Sequence, residues 1–258
     1  MLAEEWIGRS EAWNQAYKAG KVRAVGQVIQ GASEGWYVPD YVVHGDAKRG
    51  IKPSAPELRS VADLPKYKAV FQDDEEPGKG RFLNCPSGWS CEGVNSQKLK
   101  AYGLQSSYVN FRPGTGAALD ASVTSAVQRG KPVLFYYWTP TALMGKHRFV
   151  QLTEPAYNEP CFKTLANKDH REPCGSAAPA AQIQAGLSNA FASGEPALVA
   201  MLERFSVPLP VLNAALADMA ANKRDAAVQA KLVLQANPAL WRGWVPPDVA
   251  ARIAASLK

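Results

Sequence analysis

The chain has 258 residues, of which 47% are apolar and 20% charged, with a formal net charge of +6. That composition can bury a sizeable core in one large domain or two lobes, and no apolar run is long enough to span a bilayer. The basic residues are scattered, with Lys98/Lys100 and Lys146/Arg148 the densest pairs, so no basic stripe with interleaved aromatics marks a nucleic-acid surface.

Residues 4–20 are predicted helical, with Trp6, Trp13, Ala16 and Tyr17 on roughly one face and Gly20 as the stop. Lys21 to Ile29 reads as a strand. Gly35 to Val43 is an extended aromatic and β-branched segment in which Pro39 points to an edge or a crossing. Turns follow over 46–56, then a short helix over 58–67 under the capping pattern Ser60-x-x-Asp63. The acidic run Asp73-Asp74-Glu75-Glu76 lacks the spacing of a calcium loop and is expected to be solvated.

Cys85-Pro86-Ser87-Gly88-Trp89-Ser90-Cys91 is the most unusual stretch. If its two cysteines pair, the small ring gives little chain-entropy stabilisation and acts geometrically, fixing the direction of Trp89. Trp89 then either packs as core or meets a ligand. The four cysteines, Cys85, Cys91, Cys161 and Cys174, allow three pairings. The local one, Cys85–Cys91 with Cys161–Cys174, is the simplest and is the pairing expected. A zinc site is the rival, but there is no C-x-x-C spacing and the histidines are only His44, His147 and His170. Disulfides imply an oxidising compartment. Met1-Leu2-Ala3-Glu4-Glu5-Trp6 has neither the basic start nor the apolar stretch of a signal peptide, so a signal has been removed or the start is missing.

Beyond the ring, a helix is predicted over 92–102 ending at Gly103, a strand over 107–111 and a helix over 117–128. Pro113-Gly114-Thr115-Gly116 lacks the spacing of a phosphate loop. Pro132 to Trp138 is a nearly continuous apolar run, as in a buried strand of an α/β sheet. Trp138 stands at its carboxyl end, where ligands of open α/β sheets bind. A strand is possible over 146–153, and 154–180 reads as irregular. A returning strand over 183–187 leads to helices from 189, over 195–205, 208–221 and 225–236, with Asn222 and Pro238 as stops. Trp241 and Trp244 read as anchors for the tail.

Alternating strands and helices predict α/β with a largely parallel sheet. Crossings near Val38–Val43 and Ala180–Ala185 would give two lobes: residues 1–40 and 183–258 form one, and 41–182 the other, with a ligand in the cleft between. Catalysis finds no support, since the G-x-S-x-G, H-E-x-x-H and Walker patterns are all missing. Trp6, Trp89 and Trp138 instead lie beside turns or polar residues. Indole faces suit a quaternary ammonium, which cannot donate hydrogen bonds and is attracted by about 0.5–2 kcal/mol per desolvated ring.

The stretches Glu34-Gly35-Trp36-Tyr37-Val38-Pro39, Cys85-x-x-x-Trp89-x-Cys91-Glu92-Gly93, Lys131 to Pro140 and Trp241-x-x-Trp244 together resemble the glycine betaine/proline-betaine substrate-binding proteins of ABC importers. The resemblance implies an α/β, two-lobed periplasmic binding protein fold of type II that closes on its ligand. It implies an ammonium box of Trp6, Trp89 and Trp138, with the ligand carboxylate on the backbone N–H groups of Ser90 and Cys91. A relative similar around the ring adds a His four residues after the first box Trp, where this chain has Ser10. It further implies periplasmic location, an ABC permease and its ATPase as partners, a monomer, and neither cofactor nor metal. Family members begin with a signal sequence and several first-lobe elements, whereas this chain starts close to the first box Trp. The expectation is therefore an amino-terminally truncated chain with its first lobe incomplete. The alternatives are a ligand-sensing domain of the same fold and a secreted, disulfide-containing hydrolase.

Overall fold

The computed structural model describes residues 1–8 and 10–257. The first elements in chain order are β1 (Leu2–Trp6), α1 (Glu11–Lys18), β2 (Val22–Gln30), β3 (Ser33–Pro39) and α2 (Asp40–His44). Next come β4 (Gly80–Leu83), α3 (Ser90–Ala101), β5 (Tyr108–Phe111), α4 (Gly116–Gln128), β6 (Leu134–Thr139), α5 (Ala142–Lys146), β7 (Phe149–Gln151) and α6 (Glu159–Ala166). The last are β8 (Ile183–Ser188), α7 (Asn189–Gly194), α8 (Pro196–Arg204), β9 (Val207–Pro208), α9 (Leu209–Asn222), α10 (Ala226–Ala236), α11 (Pro238–Trp241) and α12 (Pro247–Ser256). Two compact units result, Met1–Ser33 with Thr139–Lys146 and Ala180–Lys258, and Glu34–Trp138 with His147–Pro179. Among the described residues no helix is long and apolar enough to cross a membrane.

The first unit is built on a four-stranded sheet in the order β1-β8-β2-β9. β8 pairs antiparallel with β1 and β2, and only the short β9 runs parallel to β2. This corrects the largely parallel sheet expected from the sequence. The alternation Ile183, Ala185, Leu187 sends one face of β8 into a core with Val25, Val28, Ile29, Val199 and Leu202. On the other face, Gly186 leaves room for the Trp13 ring of α1, since a Cβ there would stand 2.7 Å from it. The helix expected over 4–20 is also corrected: residues 2–6 are strand, with Trp6 opposite Ile183 on β8. Long-range pairing overrides a local apolar pattern here. The helix begins only after Ser10, whose hydroxyl caps it by accepting from Trp13 N–H at 3.2 Å. Residue 9 of that span lies outside the described residues.

Residues 139–146 join this unit through α9. Asn213 donates through Nδ2 to Thr139 Oγ1 at 3.1 Å and accepts at Oδ1 from Thr141 N–H at 3.1 Å. Trp241 is buried and its indole N–H donates to the Leu234 carbonyl at 2.8 Å, while Trp244 packs on Phe205 with centroids 4.5 Å apart. Both are the tail anchors the sequence indicated. A further helix, α12, was not anticipated.

The second unit holds a five-stranded sheet in the order β5-β4-β6-β3-β7. β4 runs parallel to β5 and β6, and β3 antiparallel to β7. Pro39 therefore ends an inner strand rather than marking an edge; its missing N–H is tolerated because α2 starts at the next residue. Fully buried Trp36 packs on Phe82 with ring centroids 4.1 Å apart and planes tilted by 31°, and its N–H donates to buried Asn95 Oδ1 at 2.8 Å. Truncating Trp36 to Ala would cost about 3–5 kcal/mol. Lys98 of α3 pairs with Glu154 at 2.6 Å, both buried, and Tyr102 donates to the same carboxylate at 2.9 Å. Burial, aided by the Glu154 charge, pushes the Tyr102 phenol well above its usual range. The 154–180 segment is less irregular than expected: α6 starts at an Asn158 cap, and Cys161 bonds Cys174 with Cα atoms 5.1 Å apart.

The acidic run is only partly solvated. Asp73 is buried at 1% exposure, which corrects the expectation of a wholly solvated loop. Its carboxylate accepts from Arg81 Nε at 2.6 Å and from the Glu75 and Glu76 N–H groups at 2.8 Å each. The Arg81 hydrogen bond, with these N–H donors, lowers its pKa to about 2. A folded-state pKa below the unfolded value of about 3.9 stabilises the fold above that value, and the contribution disappears as pH falls through about 4 to 2. Asp73→Asn should therefore lower the urea midpoint at pH 7 by the equivalent of about 2 kcal/mol, and the gap to the parent should close near pH 2. An unchanged gap across that range would assign the loss to packing instead.

Candidate functional site

β4 and β6 are parallel neighbours, with Leu83 opposite Phe135. Their carboxyl ends therefore emerge at one edge of the sheet, and ligand sites of α/β sheets form there. After β4 the chain enters the 85–91 ring, closed by a disulfide between Cys85 and Cys91 with Cα atoms 5.8 Å apart. Gly88 takes φ +86°, a left-handed conformation favouring glycine, and turns the chain back so that Trp89 N–H meets the Pro86 carbonyl at 3.2 Å.

Trp89 is the N-cap residue of α3 and has no side-chain group that caps. Ser90 and Cys91 open the helix, so their N–H groups lack intrahelical acceptors and point out of its positive end. The sequence placed this helix start two residues later. The shift matters because it turns Ser90 and Cys91 from loop residues into first-turn donors.

Trp89 is 45% exposed, which rules out a core role. Its ring lies against Gly116 at the start of α4 and faces Trp138 of β6, with centroids 5.5 Å apart and planes at 59°. Trp138 stacks on Tyr137 at 4.5 Å and 19°. The buried Tyr137 hydroxyl donates to Asp120 of α4, and the Tyr136 hydroxyl donates to Glu34. These bonds fix the strand end that carries Trp138. Asp120 left no trace in the sequence, because its contact joins a helix to a strand 17 residues away.

Two tilted indoles beside two open N–H groups can hold a ligand with a diffuse cation at one end and an anion at the other. Glu92, in the first turn of α3, would oppose an anion, but Arg112 Nε donates to its Oε1 and offsets the charge. Among the described residues no cluster of three or more His, Cys, Asp or Glu is placed to hold a metal ion.

The other sequence candidates fall in the first unit. Trp6 ends β1, packs on that unit's core and donates its indole N–H to Glu4 at 2.7 Å. Burial raises the carboxyl pKa of its neighbour Glu5. Ser10 is engaged as the cap of α1. A groove of about 810 Å³ in the second unit lies away from the indole pair. Its Arg81 is neutralised by Asp73, with Glu75 3.9 Å away, and Asp74 lines the same groove.

Residues 1–235 match the family described as the substrate binding domain of ABC-type glycine betaine transport system. The chain is 28% identical over 236 residues to the glycine betaine/proline betaine-binding periplasmic protein of Salmonella typhimurium, covering 88% of this chain and 68% of that one. Among solved structures it is similar to the glycine/betaine/L-proline-binding protein of an ABC transporter from Borrelia burgdorferi, with a TM-score of 0.63, 14% identity and coverage of 97% and 80% of the two chains. It is likewise similar to lactococcal OpuAC in its closed-liganded conformation complexed with glycine betaine, with a TM-score of 0.61, 17% identity and coverage of 95% and 79%. At these identities the likeness shows the two-lobed periplasmic binding fold.

A small ring has a small entropic effect, so Cys85→Ser/Cys91→Ser should lower stability by only about 2 kcal/mol. The larger change should be local: the Trp89 indole N–H resonance, sharp in the parent, should broaden or move toward the random-coil position. A double variant with an unchanged Trp89 resonance would show that the ring does not set the direction of this side chain.

Proposed function

The chain belongs to the family of substrate-binding domains of ABC-type glycine betaine transport systems, and from that membership we propose that it captures a small carboxylate-bearing quaternary ammonium compound of the betaine class. The observation that carries this reading is the Trp89–Trp138 pair, 5.5 Å between centroids, set beside the open amino end of α3. A trimethylammonium group has no N–H to donate. It gains from desolvated indole faces, at about 0.5–2 kcal/mol each, without needing a buried carboxylate. The ligand carboxylate would accept from Ser90 and Cys91 N–H. Trp6 completes the proposed set on the strength of the family resemblance alone.

The family is one of transport components rather than enzymes, and we propose capture without turnover, with delivery to an ABC permease and its ATPase. The proposed compartment is the periplasm. Two disulfides support it, as does the periplasmic naming of the Salmonella relative.

Trp89→Ala and Trp138→Ala should each weaken glycine betaine binding by about tenfold or more in calorimetric titration. Trp241→Ala, which removes a buried anchor, should lower the melting temperature and leave the dissociation constant of the folded protein within about twofold. If both box variants bind glycine betaine as the parent does, the indole assignment is wrong.

A further inference from the structure

We infer that Asn84 is the positioning residue that aims the Ser90 and Cys91 N–H groups at the ligand carboxylate, a reading that rests on the function proposed above. Asn84 is fully buried and stands between the end of β4 and Cys85. Its side-chain carbonyl accepts from Cys85 N–H at 2.6 Å. Its amide donates to the Glu92 carbonyl at 3.2 Å and to Asn110 Oδ1 at 2.9 Å. One carboxamide thus joins the strand end, the first turn of α3 and β5.

The chemistry of the site requires this joint. The disulfide ties Cys91 back to Cys85, and Arg112 and Ser96 both reach Glu92 in the first turn of α3, but none of these bonds joins Glu92 to the Asn84 side of the ring. Trp89 cannot cap that turn, so the N-cap position itself supplies no side-chain bond to it. The bond from Asn84 to Glu92 closes a second link across the same ring and fixes the pitch of the turn on which Ser90 and Cys91 lie. Only a carboxamide supplies an acceptor and two donors at this reach; an Asp carboxylate has no donor, and Ser has a single one. Asn110 donates in turn to Ser96 Oγ at 2.9 Å, and Ser96 Oγ donates to the Glu92 carbonyl at 2.8 Å. The Asn84 amide is therefore held in one orientation by groups on both neighbouring elements. The indoles have supports that Asn84 does not supply, Gly116 of α4 against Trp89 and the Tyr137 and Tyr136 hydroxyl anchors behind Trp138, so the ammonium end can hold when the Asn84 link is cut.

The test is a glycine betaine titration of the full chain carrying Asn84→Ala, followed by calorimetry and by backbone and indole N–H shifts at saturating ligand. The dissociation constant should rise about tenfold. The ligand-induced shifts of the Ser90 and Cys91 amides should fall below half of the parent's, while that of the Trp89 indole is retained. Loss of the indole and amide responses together, or no change in either, would reduce Asn84 to a structural residue and overturn the inference. Asn110→Ala, which withdraws one acceptor from the Asn84 amide, should give the same split at smaller size, and it decides the matter if Asn84→Ala does not fold. A parent whose Trp89 indole responds while the Ser90 and Cys91 amides do not would overturn the inference and leave the indole assignment standing. A parent that binds no glycine betaine would overturn the function proposed above as well.

Discussion

The bond between Cys85 and Cys91 ties the end of β4 to the first turn of α3, and Trp89 and the Ser90 and Cys91 N–H groups lie on that tie. Between the two cysteines the chain has to reverse, which it does at Gly88, and it must expose one large ring, Trp89, at the cap of a helix. A cap residue without a capping side chain would normally be a weakness of one or two unsatisfied donors. Here it leaves N–H groups facing outward beside an indole. The rigidity comes from covalent closure and from the buried Asn84 carboxamide rather than from a dense apolar core at the site.

The sheet supplies the second half. Parallel pairing of β4 with β6 delivers two loops to one edge, so Trp138 reaches the neighbourhood of Trp89 without any sequence proximity. Behind Trp138, the Tyr137 and Tyr136 hydroxyls are anchored on Asp120 and Glu34. Behind those lie Trp36, Phe82 and Phe135, all buried, whose packing keeps the strand ends in register.

Much of this was legible in the sequence because the relevant signals are local. The ring, the cysteine pairing, the apolar run into Trp138 and the Ser60/Asp63 capping box all sit within short windows, and each forms as read. What was misread depends on distant partners. Leu2–Trp6 carries an amphipathic helical pattern yet becomes a strand because β8, some 180 residues on, offers it a ladder. The antiparallel sheet of the first unit follows from the same pairing. Asp73 looks like any residue of an acidic run until Arg81 and two N–H donors enclose it. Asn84 and Asp120 shape the site through contacts that no spacing rule announces, although Asn84 does flank the ring directly.

In the proposed function the indole pair recognises the charge of a trimethylammonium group and not merely its bulk. The most direct test compares the dissociation constants of glycine betaine and of its tert-butyl isostere, in which carbon replaces nitrogen. Size, shape and carboxylate are kept while the cation is removed. The isostere should bind at least about tenfold more weakly, the equivalent of one desolvated cation–π contact or more. Equal affinities would contradict it and leave only an apolar pocket beside an anion-binding helix end.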